Sequence, residues 1–209
     1  LLSNGIFFAI LIALLSGLLL GLLSGFIITK GNVRPFIVTL GIMLVARGLT
    51  LIYTNGSPIY GLSKDFRSIG TGYIGFIPIP VLLLLLLFII TWIVLNMTKF
   101  GRYIYAVGGN QETSRLAGIN VDLTKIIAYG ISGLLASFAG VILAARINSG
   151  DPVAGTGYEL DVIAAVVIGG TPLSGGQGGV IGTLVGALIL GVVNGASSCS
   201  FDTCQSKPA

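Results

Sequence analysis

The sequence predicts an all-α fold, a polytopic transmembrane helix bundle of about five spans plus one short broken or re-entrant helix. Three observations carry that expectation. Only 9% of the 209 residues are charged, against about a quarter in a soluble domain. The mean hydropathy is +1.01, and the apolar residues gather into runs long enough for a helix rising about 1.5 Å per residue to cross a hydrocarbon core about 30 Å thick. The chain also holds 32 glycines, and small residues let helices approach closely in lipid, where the hydrophobic effect no longer drives them together.

Residues 5–28 carry no charge and form the first expected span. Gly17, Gly21 and Gly25 recur every four residues along it and line one face, a groove for helix packing. Lys30, Gly31, Asn32, Val33, Arg34 and Pro35 follow as a short basic turn. Residues 36–53 form the second span, interrupted by Arg47, which is unfavourable facing lipid. It either snorkels towards the outer headgroups or lies on a solute path. Residues 54–80, with Gly61, Gly70, Gly72 and Gly75, read as an outer loop containing an ill-defined short element. Residues 81–98 (VLLLLLLFIITWIVLNMT) make the third span.

The fourth span, 126–147, carries Gly130, Gly133, Ser137 and Gly140 at spacings of three to four, which should set it deep in the bundle. An outer loop at 148–158 follows. Residues 160–170 are apolar but too few to span, so a broken or re-entrant helix is expected, tolerated at membrane depth only against protein or a wet cavity. Glu159 and Asp161 fall in its first turn, where they either complement the helix dipole or touch the solute. Gly178, Gly182, Gly186, Gly191 and Gly195 stud a last helix at 180–193, with Gly182 and Gly186 assigned to helix packing. Lys30, Arg34, Lys99, Arg102, Arg115 and Lys125 fall on one side of this topology and Lys64, Arg67 and Arg146 on the other, six against three. The richer side is cytoplasmic by the positive-inside rule.

Composition also excludes several function classes. There is no His, and the two Cys lie five apart in the tail, so no metal centre, disulfide framework or bound cofactor is readable. The net charge of +4 comes from residues scattered singly at the ends of apolar runs, so topology explains it and a nucleic-acid partner does not. No span holds a carboxylate pair or a nucleophile beside a base, so no catalytic residue is assigned. No signal peptide pattern opens the chain.

The one long polar passage, 101–125 (GRYIYAVGGNQETSRLAGINVDLTK), lies between apolar blocks and carries Arg102, Glu112, Arg115, Asp122 and Lys125. Asn110 can cap a short helix over Gln111, Glu112, Thr113, Ser114, Arg115, Leu116 and Ala117, and Gly118 can stop it. Glu112 and Arg115, three apart, share a face and either pair with each other or reach to charges on a partner. This passage resembles the cytoplasmic coupling loop of bacterial ABC import permeases of the ribose, galactose and autoinducer-2 type. Glu112 and Gly118 match the Glu and Gly of the motif shared by import permeases, while its later Ile-x-Leu-Pro is absent, which points to the sugar-permease branch. The resemblance extends from about Gly21 to Gly195 through TNGSPIYGL, ISGLLASFAGVILAARINSG and GYELDVIAAVVIGGTPLSGGQGG.

The resemblance implies a permease domain over 1–195 with a coupling loop at 99–125, in which Gly109, Asn110, Gln111, Glu112, Arg115, Leu116, Ala117 and Gly118 dock an ATPase. It further implies a separate cytoplasmic ATP-binding cassette ATPase, an extracytoplasmic solute-binding protein, a second permease subunit, surrounding membrane lipid and a place in the bacterial plasma membrane. Such permeases continue apolar beyond Gly195, whereas 196–209 (ASSCSFDTCQSKPA) turns polar. A disordered tail and a fragment incomplete at both ends are therefore expected. Leu173-Ser174-Gly175-Gly176-Gln177 spells the LSGGQ signature of cassette ATPases, but no G-x-x-x-x-G-K-[ST] loop accompanies it, so it reads as a glycine-rich break between helices. The expected function is the membrane subunit of an importer of a sugar-like solute. The alternative is a secondary transporter or channel subunit working without an ATPase, for which Arg47 is the one ionisable group inside a span.

Overall fold

The computed structural model describes residues 2–31, 33–172 and 174–205. Asn32 of the basic turn, Leu173 of the glycine-rich run and residues 206–209 of the expected tail lie outside them. The helices are α1 (Leu2–Gly31), α2 (Pro35–Thr54), α3 (Lys64–Thr71), α4 (Ile79–Met97), α5 (Lys99–Gly109), α6 (Gln111–Leu116), α7 (Val121–Ile147), α8 (Tyr158–Ile168) and α9 (Val180–Gln205). Among the described residues four two-residue strands join them: β1 (Ile59–Tyr60), β2 (Tyr73–Ile74), β3 (Ile77–Pro78) and β4 (Ser149–Gly150). Among the described residues four helices, within α1, α2, α4 and α7, are long and apolar enough to cross a membrane, and α9 adds a shorter apolar stretch, Val180–Ala196. The protein is a multi-pass membrane helix bundle. Its chain divides into two compact units, one of residues up to Ile90 with Ser114–Ala154, the other of Thr91–Thr113 with residues from Gly155 onward.

The first unit is built on α1 and α7. Gly17 faces Gly133 and Ser137, Gly21 faces Tyr129 and Gly130, and Gly25 faces Ile126, an order that runs oppositely along the two helices. A Cβ added to Gly21 would lie 3.1 Å from the Cα of Gly130 and nearer still to the Tyr129 carbonyl oxygen. The backbones therefore touch with no side chain between them, the close approach that dispersion rewards in lipid. This antiparallel seam sets the Lys30 end of α1 beside the start of α7. At the opposite end α3 packs on α7, with Gly70 against Ala145 and the backbone of Arg146.

The same opposite end is fastened by β1 and β4, which pair antiparallel with Ile59 opposite Gly150 and Tyr60 opposite Ser149. The two segments expected outside, 54–80 and 148–158, thus meet. The ill-defined element of the first consists of β1, α3 and a β2–β3 hairpin. α2 starts with Pro35 in its first turn, where the missing N–H has no helical partner to lose. It ends at Asn55 in the left-handed conformation, with the Gly56 N–H donating to Leu51 O at 3.0 Å. Between its ends α2 buries only Val38, and a cavity of about 410 Å³ lined by Ser16, Gly21, Thr39, Met43, Tyr129 and Ser137 separates it from α1 and α7.

In the second unit α8 and α9 form a hairpin. Gly186 sits against Ala165 and Gly169, and Gly182 against Gly169. The 11 residues of α8 rise about 16 Å, half a hydrocarbon core. Two features depart from expectation. Residues 99–109, read as loop, form the helix α5, which Thr98 caps by accepting the Gly101 N–H at 3.3 Å. The last helix, expected to stop at 193 before a disordered tail from 196, runs to Gln205. Residues 196–205 contain neither Gly nor Pro, so nothing local halts the helix.

Candidate functional site

The polar passage is organised by two asparagines and one glycine. Asn110 closes α5 by donating its N–H to Ala106 O at 3.1 Å, and opens α6 by accepting the Thr113 N–H on its side-chain oxygen at 3.1 Å. Gly118 lies in the left-handed region with φ +78. Its N–H donates to Arg115 O at 3.0 Å and that of Ile119 to Ser114 O at 3.0 Å, the pair of bonds that satisfies the last carbonyls of a Schellman end. Asn120 then starts α7 by accepting the Leu123 N–H at 3.1 Å. A helix of six residues is far below the ~12–15 at which isolated helices become even marginal. Its caps, each worth about 1 kcal/mol, therefore decide that it exists.

What α6 exposes follows from its spacing. Ser114 is buried, while Gln111, Glu112, Arg115 and Ala117 are exposed and Leu116 is 89% exposed. Arg115 does not pair with Glu112. Its guanidinium reaches Asp122 at 3.3 Å, both groups more than half exposed, because the Gly118 turn folds the first turn of α7 back towards it. Such a pair is worth a few tenths of a kcal/mol and is screened by salt. Gly109 is the last residue of α5, next to the capping asparagine.

The remaining candidates fall apart into the two units. Arg47 is half-buried on α2 in the first. Glu159 and Asp161 lie on α8 in the second. Glu159 accepts the Gly157 N–H at 3.1 Å, so its carboxylate is engaged in starting its own helix. Asp161 is exposed and lines a cavity of about 260 Å³ between α8 and α9 with Tyr158 and Asn194. The sequence reading missed Tyr105, whose hydroxyl donates to Gly178 O at 3.1 Å. The spacing of Gly101, Ile104 and Val107, two of them buried, marks an amphipathic helix but not the partner of Tyr105. In the run after Leu173, Gly175 and Gly176 have φ +82 and +81, a backbone break between helices.

The profile of the family described as "Branched-chain amino acid transport system / permease component" matches residues 1–202. Among curated relatives, the ribose import permease protein RbsC of Haemophilus influenzae is 50% identical over 195 residues, 91% of this chain and 60% of the relative. RbsC of Escherichia coli K12 is 53% identical over 175 residues, 82% of this chain and 54% of the relative. The L-arabinose transport system permease protein AraH of E. coli K12 is 42% identical over 173 residues, 83% and 53% of the two chains. The chain thus spans between half and two thirds of the length of these relatives, which are named as transport permease components and not as enzymes. No solved structure matches it. With the family profile covering nearly its whole length and relatives at half identity, the chain belongs to the branched-chain amino acid transport system permease component family.

Proposed function

We propose that this chain is the membrane-spanning part of an importer permease, moving a monosaccharide-like solute of the ribose type across the bacterial plasma membrane. A separate ATP-binding cassette ATPase docks on Gln111 to Gly118 from the cytoplasm, a solute-binding protein delivers from outside, and a second permease subunit, the same or different, completes the path. The observation that carries this reading is the capped helix α6. It is a six-residue helix held at both ends and presenting Glu112 and bare Leu116, within a chain 50% identical to a ribose import permease. A rigid, exposed knob between membrane helices suits a part that receives motion rather than one that binds solute.

Two variants test it in the importer assembled with its ATPase and binding protein in proteoliposomes. Gly118→Pro removes the N–H that Arg115 O accepts and cannot adopt φ +78; the double reversal Glu112→Lys, Arg115→Glu inverts the exposed charges. Both are expected to insert normally, to lose ribose uptake and to lose the stimulation of ATP hydrolysis by ribose-loaded binding protein. Normal coupled uptake in both would show that α6 is not the docking element.

A further inference from the structure

The glycine-rich run after α8 spells an ATPase motif that this chain has no means to use, yet the structure gives it a specific neighbour. Tyr105, midway along α5, donates its hydroxyl to Gly178 O at 3.1 Å, 73 residues away in sequence. Beside that bond the last turn of α5 meets the break backbone to backbone. A Cβ on Gly108 would lie 2.8 Å from the Gly176 nitrogen, and one on Gly176 would lie 2.7 Å from the Gly109 Cα. Gly176 and Gly178 hold φ +81 and +139, so side chains are excluded there by conformation as well as by space. Within the same unit Tyr105, Thr171, Gln177 and Thr183 line a cavity of about 440 Å³.

We propose that Tyr105, Gly108 and Gly176 form a clamp that makes α5 and the glycine-rich break one rigid body. Displacement of the docking helix is thereby delivered to α8 and α9, with Tyr105 acting as a positioning residue. Asn110 joins α5 to α6 with no spacer, so what moves α6 moves α5. Backbone-to-backbone contact leaves no rotamer to absorb the shift, and close-packed matter transmits strain. On the far side α8 carries the displacement over about 10 Å to Asp161 and the cavity it lines with Tyr158 and Asn194. The source of the displacement rests on the importer reading; the clamp does not.

The experiment therefore has two arms. In the detergent-solubilised permease alone, Tyr105→Phe removes one hydrogen bond and keeps the ring. Amide exchange over residues 175–183 is expected to quicken by about two- to tenfold, the range one such bond controls. Unchanged exchange there would overturn the clamp whatever the ATPase does. In the reconstituted importer, Tyr105→Phe and Gly108→Ala are expected to lower ribose moved per ATP hydrolysed below the wild-type ratio. That ratio is unaffected by a mere loss of folded complexes, which lowers both rates together. A wild-type ratio in both variants would overturn the transmission role. A wild-type importer that takes up no ribose on ATP addition would instead overturn the importer reading, with the exchange arm still deciding the clamp.

Discussion

Two glycine-rich regions of the molecule look alike in sequence and work by different physics. Along the α1–α7 seam, Gly17, Gly21, Gly25, Gly130 and Gly133 keep helical backbone angles, and what matters is the hydrogen in place of a Cβ. In the polar ends, Gly118, Gly175, Gly176 and Gly178 hold positive φ, and what matters is the freedom to turn. The difference teaches that glycine content alone says little. Spacing of four within an apolar run signals close approach, whereas doublets and a glycine after a short polar helix signal a backbone turn.

The seam should be the more fragile of the two. Gly21→Leu drives a side chain into the Tyr129 carbonyl and the Gly130 backbone, neither of which can swing aside. A loss of about 3 kcal/mol or more is expected, seen as a collapse of monodisperse permease in size-exclusion chromatography. Leu20→Ala, one position along and 41% exposed, should leave the yield near normal; equal damage from both would refute the seam.

Gly178→Ala combines both kinds of cost, an unfavourable φ of +139 and a Cβ meeting the Thr171 side chain. We expect about 2–3 kcal/mol, confined to the α8–α9 unit and visible as local amide exchange with little loss of assembled protein. Gly118→Ala isolates conformation, since nothing lies within 4 Å of the added Cβ. It should destabilise α6 by only about 1–2 kcal/mol, measured as faster exchange at Ile119. A Gly118→Ala effect as large as that of Gly21→Leu would erase the distinction between the two regions. Arg115→Ala, touching neither sterics nor φ, should cost a few tenths of a kcal/mol through Asp122 and vanish in high salt; a salt-independent loss would mean that Arg115 does something other than pair.

Legibility in the sequence followed the range of the interactions involved. Apolar length marked the spans, and the spacing of Gly17, Gly21 and Gly25 marked a helix-facing stripe, because both depend on residues a few positions apart. The caps of α6 were equally local, Asn110 before it and Gly118 after it. What escaped was set by distant partners. Nothing near Tyr105 announces Gly178, and nothing near Ile59 announces Gly150, so the loop containing β1 read as shapeless. α5 escaped because Gly101, Gly108 and Gly109 mask an amphipathic period that becomes meaningful once the glycine-rich break packs on it. Helical spacing offers Arg115 either Glu112 or the charges of a partner, and the Gly118 turn supplies a different acid, Asp122.

The arrangement of α2 has a mechanical consequence. It is tied at its first turn to α1 through the short basic connection and, just past its last, to the end of α7 through the β1–β4 ribbon. Between those knots it buries only Val38 and borders the 410 Å³ cavity. The α1–α7 pair, joined backbone to backbone, is thus the part of this unit whose spacing is fixed, whereas the spacing of α2 from that pair is set by its two ends and not by its middle.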